Sequence, residues 1–233
     1  MRRARLALAA VLLVVSAARP AEAQTVERVL TASAGARDAV RVGDLVYVAT
    51  EGGLLALRDG RIERRYVPGA RLRSVSEVDG DLWIGAVEGT ARAVIGEDGV
   101  HVAETLDVRR VRRVVRFGDS LWLASYGGGL TRRHPDGRLE RVALGTAHAY
   151  LRLTDLLARD GELWVATQGV GILRLGTDGR VRSRLRARDG LASDYLWRLG
   201  ASGDRVLVTS IAGLSVVGPA GVERAHAWAV VSH

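Results

Sequence analysis

The chain has 233 residues, 34 of them basic and every one of those Arg, against 26 acidic residues, for a net charge of +8. It contains no Cys, which excludes a fold stapled by disulfides and leaves the core alone to hold it. Nearly half of the residues are apolar, enough for one sizeable domain, and the absence of Lys beside so many Ala, Val and Gly reads as GC-rich bacterial codon usage before it reads as chemistry.

Residues 1–23 stand apart from the fold. Arg2, Arg3 and Arg5 precede an apolar stretch from Leu6 to Ala17, shorter than the roughly 20 residues a bilayer span needs. Ala21-Glu22-Ala23 is a small-x-small cleavage site, so the segment reads as a secretory signal peptide cut before Gln24. An uncleaved anchor is the alternative. Losing Arg2, Arg3, Arg5, Arg19 and Glu22 lowers the net charge to +5. The expected location is periplasmic or secreted, in a bacterium. No later apolar stretch is long enough to cross a membrane, so no span is expected after cleavage, and a nucleic-acid partner is not expected of an exported chain. Weak attraction to anionic surfaces is compatible with the charge.

Residues 24–35 read as an N-terminal strand and linker. Val26-Glu27-Arg28-Val29-Leu30 matches later segments such as Ile62-Glu63-Arg64-Arg65-Tyr66 and Leu139-Glu140-Arg141-Val142. From residue 36 a short strand following a Gly-acid pair recurs five times, opening at Gly43, Gly80, Gly118, Gly161 and Gly203. These glycines lie 37, 38, 43 and 42 residues apart. A second series, Asp59-Gly60, Asp98-Gly99, Asp136-Gly137, Asp178-Gly179 and Ala220-Gly221, keeps nearly the same period. Asp-Gly is a two-residue hairpin signal because both positions of a type I′ turn need positive φ. Two turn series in register, with a period of about 40 residues and only strands between them, indicate a β-propeller.

The second unit shows the pattern: Leu72–Val78 as strand a, Asp81–Val87 as b, Thr90–Ile95 as c and Val100–Leu106 as d. The expected fold is all-β, a propeller of about five four-stranded antiparallel blades preceded by a signal peptide. The blades fall at about 36–69, 70–108, 109–147, 148–191 and 192–229, within a propeller domain of 36–233. Trp83, Trp122 and Trp164, with Tyr47 and Leu207 at the equivalent place, read as core that fills the wedge between blades, since each large ring buries on the order of 150–250 Å².

Gly161-Glu162-Leu163-Trp164-Val165-Ala166-Thr167-Gln168-Gly169-Val170-Gly171-Ile172-Leu173-Arg174-Leu175 closely resembles the repeat of the two-component regulator propellers. Gly190-Leu191-Ala192-Ser193-Asp194-Tyr195-Leu196-Trp197 is similar to the segment that family places between blades. The resemblance covers about residues 36–218. It implies the periplasmic sensory part of a membrane sensor kinase, often for carbohydrate-derived signals and usually in seven-bladed rings. The chain has five repeats and reaches His233 without an immunoglobulin-like module, membrane helix or kinase, so the extracytoplasmic binding role is what carries over.

Enzyme motifs are scarce. His101, His134, His148, His226 and His233 show no metal-ligand spacing, and no metal or other cofactor is expected. Gly127-Gly128-Gly129 has no following Lys and opens no helix, so it reads as a turn rather than a phosphate loop. Asp79-Gly80-Asp81 lacks the further ligands of a calcium loop. A propeller site is built where the d–a and b–c loops converge on the central channel. The d–a loops offer Arg71, Arg109, Arg110, His148, Tyr150, Asp194 and Tyr195, and the b–c loops offer Glu51, Glu88, Tyr126 and Gln168. The candidate ligand-binding set is Glu51, Arg71, Glu88, Arg110, Tyr126, His148, Tyr150, Gln168, Asp194 and Tyr195. Aromatic faces, guanidinium forks and carboxylates suit a polar, sugar-like or anionic small molecule, and a protein partner is also open. The run Arg109, Arg110, Arg112, Arg113 and Arg116 offers an anion site at the channel mouth, but salt bridges to acids such as Asp107 and Asp119 account for it more simply. The leading expectation is a non-catalytic exported binding propeller. The alternative is a propeller lyase or hydrolase with its site at the channel mouth.

Overall fold

The computed structural model describes residues 35–145 and 151–227. Twenty strands form five four-stranded antiparallel sheets, each in simple sequence order. Blade 1 comprises β1 (Ala36–Val42), β2 (Leu45–Thr50), β3 (Gly53–Arg58) and β4 (Arg61–Tyr66). Blade 2 comprises β5 (Leu72–Val78), β6 (Asp81–Ala86), β7 (Thr90–Gly96) and β8 (Gly99–Leu106). Blade 3 comprises β9 (Val111–Phe117), β10 (Ser120–Ser125), β11 (Gly129–Arg133) and β12 (Leu139–Val142). Blade 4 comprises β13 (Leu153–Arg159), β14 (Glu162–Thr167), β15 (Ile172–Leu175) and β16 (Val181–Leu185). Blade 5 comprises β17 (Leu196–Ser202), β18 (Arg205–Ser210), β19 (Gly213–Gly218) and β20 (Gly221–Ala227). The inner strands β1, β5, β9, β13 and β17 neighbour one another in turn. The β-propeller expected from the repeats is the fold observed. The signal peptide and the Val26–Leu30 strand lie outside the described residues.

The first turn of every blade is a two-residue hairpin, as the register across Val42↔Leu45, Val78↔Asp81, Phe117↔Ser120, Arg159↔Glu162 and Ser202↔Arg205 requires. Asp79 and Gly80 both have positive φ, +56° and +85°, the conformation a type I′ loop needs. The c–d turns are less uniform than the Asp-Gly series suggests. Asp59-Gly60 is a two-residue turn, with φ of +48° and +74°. In blade 2 the pairing Gly96↔Gly99 makes Glu97 and Asp98 the turn, and Gly99 opens β8 instead. The register of the ladder, not the dipeptide, decides which two residues turn.

Burial is greatest on the middle strands of each blade and falls at the rim. The second strands are nearly continuous core, whereas β4 and β20 on the rim are mostly exposed. Tyr47, Trp83, Trp122 and Trp164 are all buried. They stand at matching register positions, opposite Val40, Ser76, Val115 and Leu157. Each belongs to a different apolar cluster, and each cluster joins one blade to the next. Trp122 is 0% exposed, and its indole N–H donates to the Phe117 carbonyl at 3.0 Å. Arg132 and Arg174, on the neighbouring strands, lie 5.3 and 4.7 Å from the Trp122 and Trp164 ring centres, within cation–π range.

Leu207, at the equivalent place in blade 5, differs from the core reading. It is half-buried and joins none of these clusters. Val48, Leu55 and Leu57 form a separate cluster with other residues of blade 1. Among the described residues, blades 5 and 1 therefore share no apolar cluster. They meet instead through an ion pair, Arg198 to Asp38 at 2.8 Å across 160 residues of sequence.

Candidate functional site

Each inner strand carries a β-bulge at one repeated place. The register shifts fall between Ala36 and Asp38, Leu72 and Ser74, Val111 and Arg113, Leu153 and Asp155, and Leu196 and Arg198. The bulged residues are Arg37, Arg73, Arg112, Thr154 and Trp197. A bulge bends its strand and re-aims a side chain, so five re-aimed residues ring one end of the axis.

Beneath them the next residues, Asp38, Ser74, Arg113, Asp155 and Arg198, build a polar belt. Asp155 is 1% exposed. One of its oxygens accepts from Arg113 Nε at 2.7 Å and from Leu156 N at 3.0 Å, and the other accepts from Leu199 N in blade 5 at 2.9 Å. Asp38 accepts from Val75 N of blade 2 at 3.2 Å and from Arg198 of blade 5. Ser74 donates to the Val111 carbonyl at 2.7 Å, and Ser76 accepts from Val114 N at 3.1 Å. Burial opposes the Arg113 charge, but Asp155 and Asp38 outweigh it, and its pKa lies above the ordinary arginine value.

At the mouth, Glu51 takes ion pairs from Arg37 of blade 1 and Arg73 of blade 2. The hydrogen bond and charge of Arg37, with help from Arg73 and Arg71, hold the Glu51 carboxyl below the usual range. The Tyr126 hydroxyl donates to the Gln168 side-chain oxygen at 2.9 Å. Two guanidinium groups, Arg112 at 5.0 Å and Arg152 at 5.4 Å, lie over the Tyr126 ring. Glu51, Arg71, Tyr126 and Gln168 thus share one neighbourhood.

The other candidates fall elsewhere or serve the backbone. Arg110 adopts φ +54° and bridges blades through its main chain, donating to Ala86 O and accepting from Tyr126 N. Glu88 borders an apolar cleft of about 400 Å³ with Val67, Ala70 and Leu106. The Asp194 carboxylate accepts from Ala187 N, and its carbonyl accepts from Gly169 N and Gly171 N. Tyr195 is 55% exposed and pairs with Gln168 through a main-chain bridge. His148 and Tyr150 lie outside the described residues.

The arginine run divides. Arg109 pairs with Asp107 as expected. Arg116 pairs with Asp79 across the blade boundary rather than with Asp119, whose carboxylate takes Arg132. Arg113 belongs to the belt. Arg112 makes no side-chain hydrogen bond or ion pair among the described residues, and its Nε is buried without a partner. Burial pushes its pKa below the ordinary arginine value, and the charges of Arg73, Arg198 and Arg37 add to this against the pull of Tyr126. Reading the loops alone missed Arg37, Arg73, Arg152, Trp197 and Arg198. The signal was available: aligning Ala36-Arg37-Asp38, Leu72-Arg73-Ser74, Val111-Arg112-Arg113, Leu153-Thr154-Asp155 and Leu196-Trp197-Arg198 shows a polar residue recurring in strands that otherwise build core.

No family model matches the chain, and no curated protein matches it. Solved structures do. The extracellular domain of the hybrid two component system BT3049 from B. thetaiotaomicron superposes with a TM-score of 0.67 at 13% identity. The match covers 84% of this chain and 28% of that one. The extracellular domain of BT4673 from the same organism gives 0.62 at 18% identity, over 78% of this chain and 26% of that one. This chain spans about a quarter of the length of those domains. Virginiamycin B lyase from Staphylococcus aureus gives 0.64 at 15% identity, over 85% of this chain and 71% of that one. At such identities the likeness is one of fold. No helix among the described residues is long and apolar enough to cross a membrane.

Proposed function

We propose that this chain is an exported, non-catalytic recognition propeller that binds a ligand or protein partner where the bulged inner strands and the loops meet. One observation carries the reading. Residues from blades 1, 2, 3 and 5 converge around Arg112, while Tyr126 and Gln168 link blades 3 and 4 beside it. A packed ring needs no such convergence of like charge for stability. A sensory role is supported by the two-component extracellular domains among the structural neighbours and by the resemblance of residues 161–197 to sensor repeats. Export rests on the signal-peptide pattern of residues 1–23.

The test is a thermal-shift screen of purified protein against glycans, small anions and candidate partners, repeated with Gln168→Ala and Arg73→Gln. Binding that weakens in those variants supports the mouth. A ligand that binds both variants as tightly as the unaltered protein refutes it. A lyase or hydrolase at the same mouth is the second reading, favoured by the fold shared with virginiamycin B lyase. Fold alone does not assign chemistry, and turnover of a bound ligand would replace the first reading with this one.

A further inference from the structure

We propose that the mouth is an oxyanion site whose central contact is Arg112, taking a ligand that carries phosphate or carboxylate groups. The inference rests on the mouth reading above and names the chemistry of its ligand. Four observations carry it.

First, Arg37, Arg73 and Arg198, three cations around Arg112 from separate blades, each contact an acid, whereas Arg112, like Arg152 over the same Tyr126 ring, contacts none among the described residues. Arg37 and Arg73 share Glu51, and Arg198 holds Asp38. Arg112 has no acid among the described residues. A half-buried guanidinium without an anion, beside three others, is costly unless something compensates it. Second, its surroundings hold further polar atoms with nothing to bind. Thr154 Oγ1, at the same bulge position in blade 4, and Ser125 Oγ, on the strand paired with β9, are buried without hydrogen-bond partners among the described residues. Ser125 is exceptional among its equivalents. Thr50, Thr167 and Ser210 each close their own hairpin by donating to the carbonyls of Gly53, Gly171 and Gly213. Third, Tyr126 is committed. Two guanidinium groups lie over its ring, and its hydroxyl is held by Gln168. It orients cations and is not a free stacking platform for a neutral sugar. Fourth, guanidinium forks match the planar or tetrahedral oxygens of carboxylate and phosphate in bidentate geometry. A bound oxyanion would supply the missing counter-charge and accept from the hydroxyls.

The experiment measures binding by calorimetry at constant ionic strength, with inorganic pyrophosphate and citrate as the phosphate and carboxylate probes and galactose as the neutral one. Pyrophosphate, citrate or both should bind, and the stronger of the two identifies the class. Arg112→Gln should bind at least about tenfold more weakly, the loss of one charge-assisted contact. Arg73→Gln should weaken binding similarly, and Arg182→Gln, a change at the exposed pair with Asp178 beside the c–d turn of blade 4, should leave it unaltered. Without ligand, Arg112→Gln should melt no lower than the unaltered protein, because it removes an uncompensated buried charge. A purely structural Arg112 would make that variant less stable. The inference is overturned if neither anion binds, or if both bind Arg112→Gln as well as they bind the unaltered protein. If galactose binds in a way that Gln168→Ala abolishes while the anions do not bind, the mouth reading stands and the oxyanion falls. If no probe or screened ligand depends on mouth residues, both fall.

Discussion

Replacing Asp155 by Ala tests the belt that joins blades 3, 4 and 5. The carboxylate is buried and accepts three hydrogen bonds, from Arg113, Leu156 N and Leu199 N. Its removal leaves the Arg113 guanidinium without its acid and two main-chain N–H groups without acceptors. Breaking a buried pair from one side costs about 3–5 kcal/mol, chiefly through the charge left behind. At roughly 2–4 °C per kcal/mol for a domain of this size, the melting temperature should fall by about 6–20 °C. Urea unfolding should show the same loss with the slope m unchanged. The mechanism makes a sharper claim through Arg113→Met. The double variant should be more stable than Asp155→Ala alone, since no unpaired charge remains. A loss below about 1 kcal/mol in Asp155→Ala, or a double variant whose losses simply add, would refute the reasoning.

Other outcomes follow from single sites. Trp122→Ala should cost about 3–5 kcal/mol by chemical denaturation, the usual effect of emptying a large core site. Leu207→Ala should cost well under half of that, because Leu207 is half-buried and belongs to no inter-blade cluster; equal costs would show that the fifth seam packs like the rest. Gly171→Ala should be strongly destabilising in thermal melts, because φ is +73° and a Cβ would meet the Leu185 carbonyl at 2.1 Å. The Glu51 carboxyl is held below its unfolded value by Arg37, so its contribution is complete above the ordinary carboxylate range and is lost as pH falls through the lowered value. Melting curves of unaltered protein and Glu51→Gln should therefore differ near pH 6 and converge in stronger acid. A difference that does not shrink as the pH is lowered would contradict this.

The repeat pattern alone specifies the architecture. A strand–turn–strand pattern repeated at about 40 residues leaves few ways to bury its apolar positions, and stacking blades around an axis is the one that uses every copy alike. It also identified the aromatic wedge, because Tyr47, Trp83, Trp122 and Trp164 keep one place in the repeat. Glu51, Tyr126 and Gln168 were legible as neighbours because equivalent loops must share a face. The remainder follows from the folded ring. The bulges shift side-chain phase by one residue, which no two-residue periodicity reveals, and they turn Arg37, Arg73 and Arg112 to the mouth. Arg116 and Arg198 meet acids of other blades, 37 and 160 residues away in sequence. Arg116 finds Asp79 in the preceding blade while Arg112 finds no acid among the described residues. Charge pairing is a property of distance across the ring, and a run of like residues in the chain does not record it.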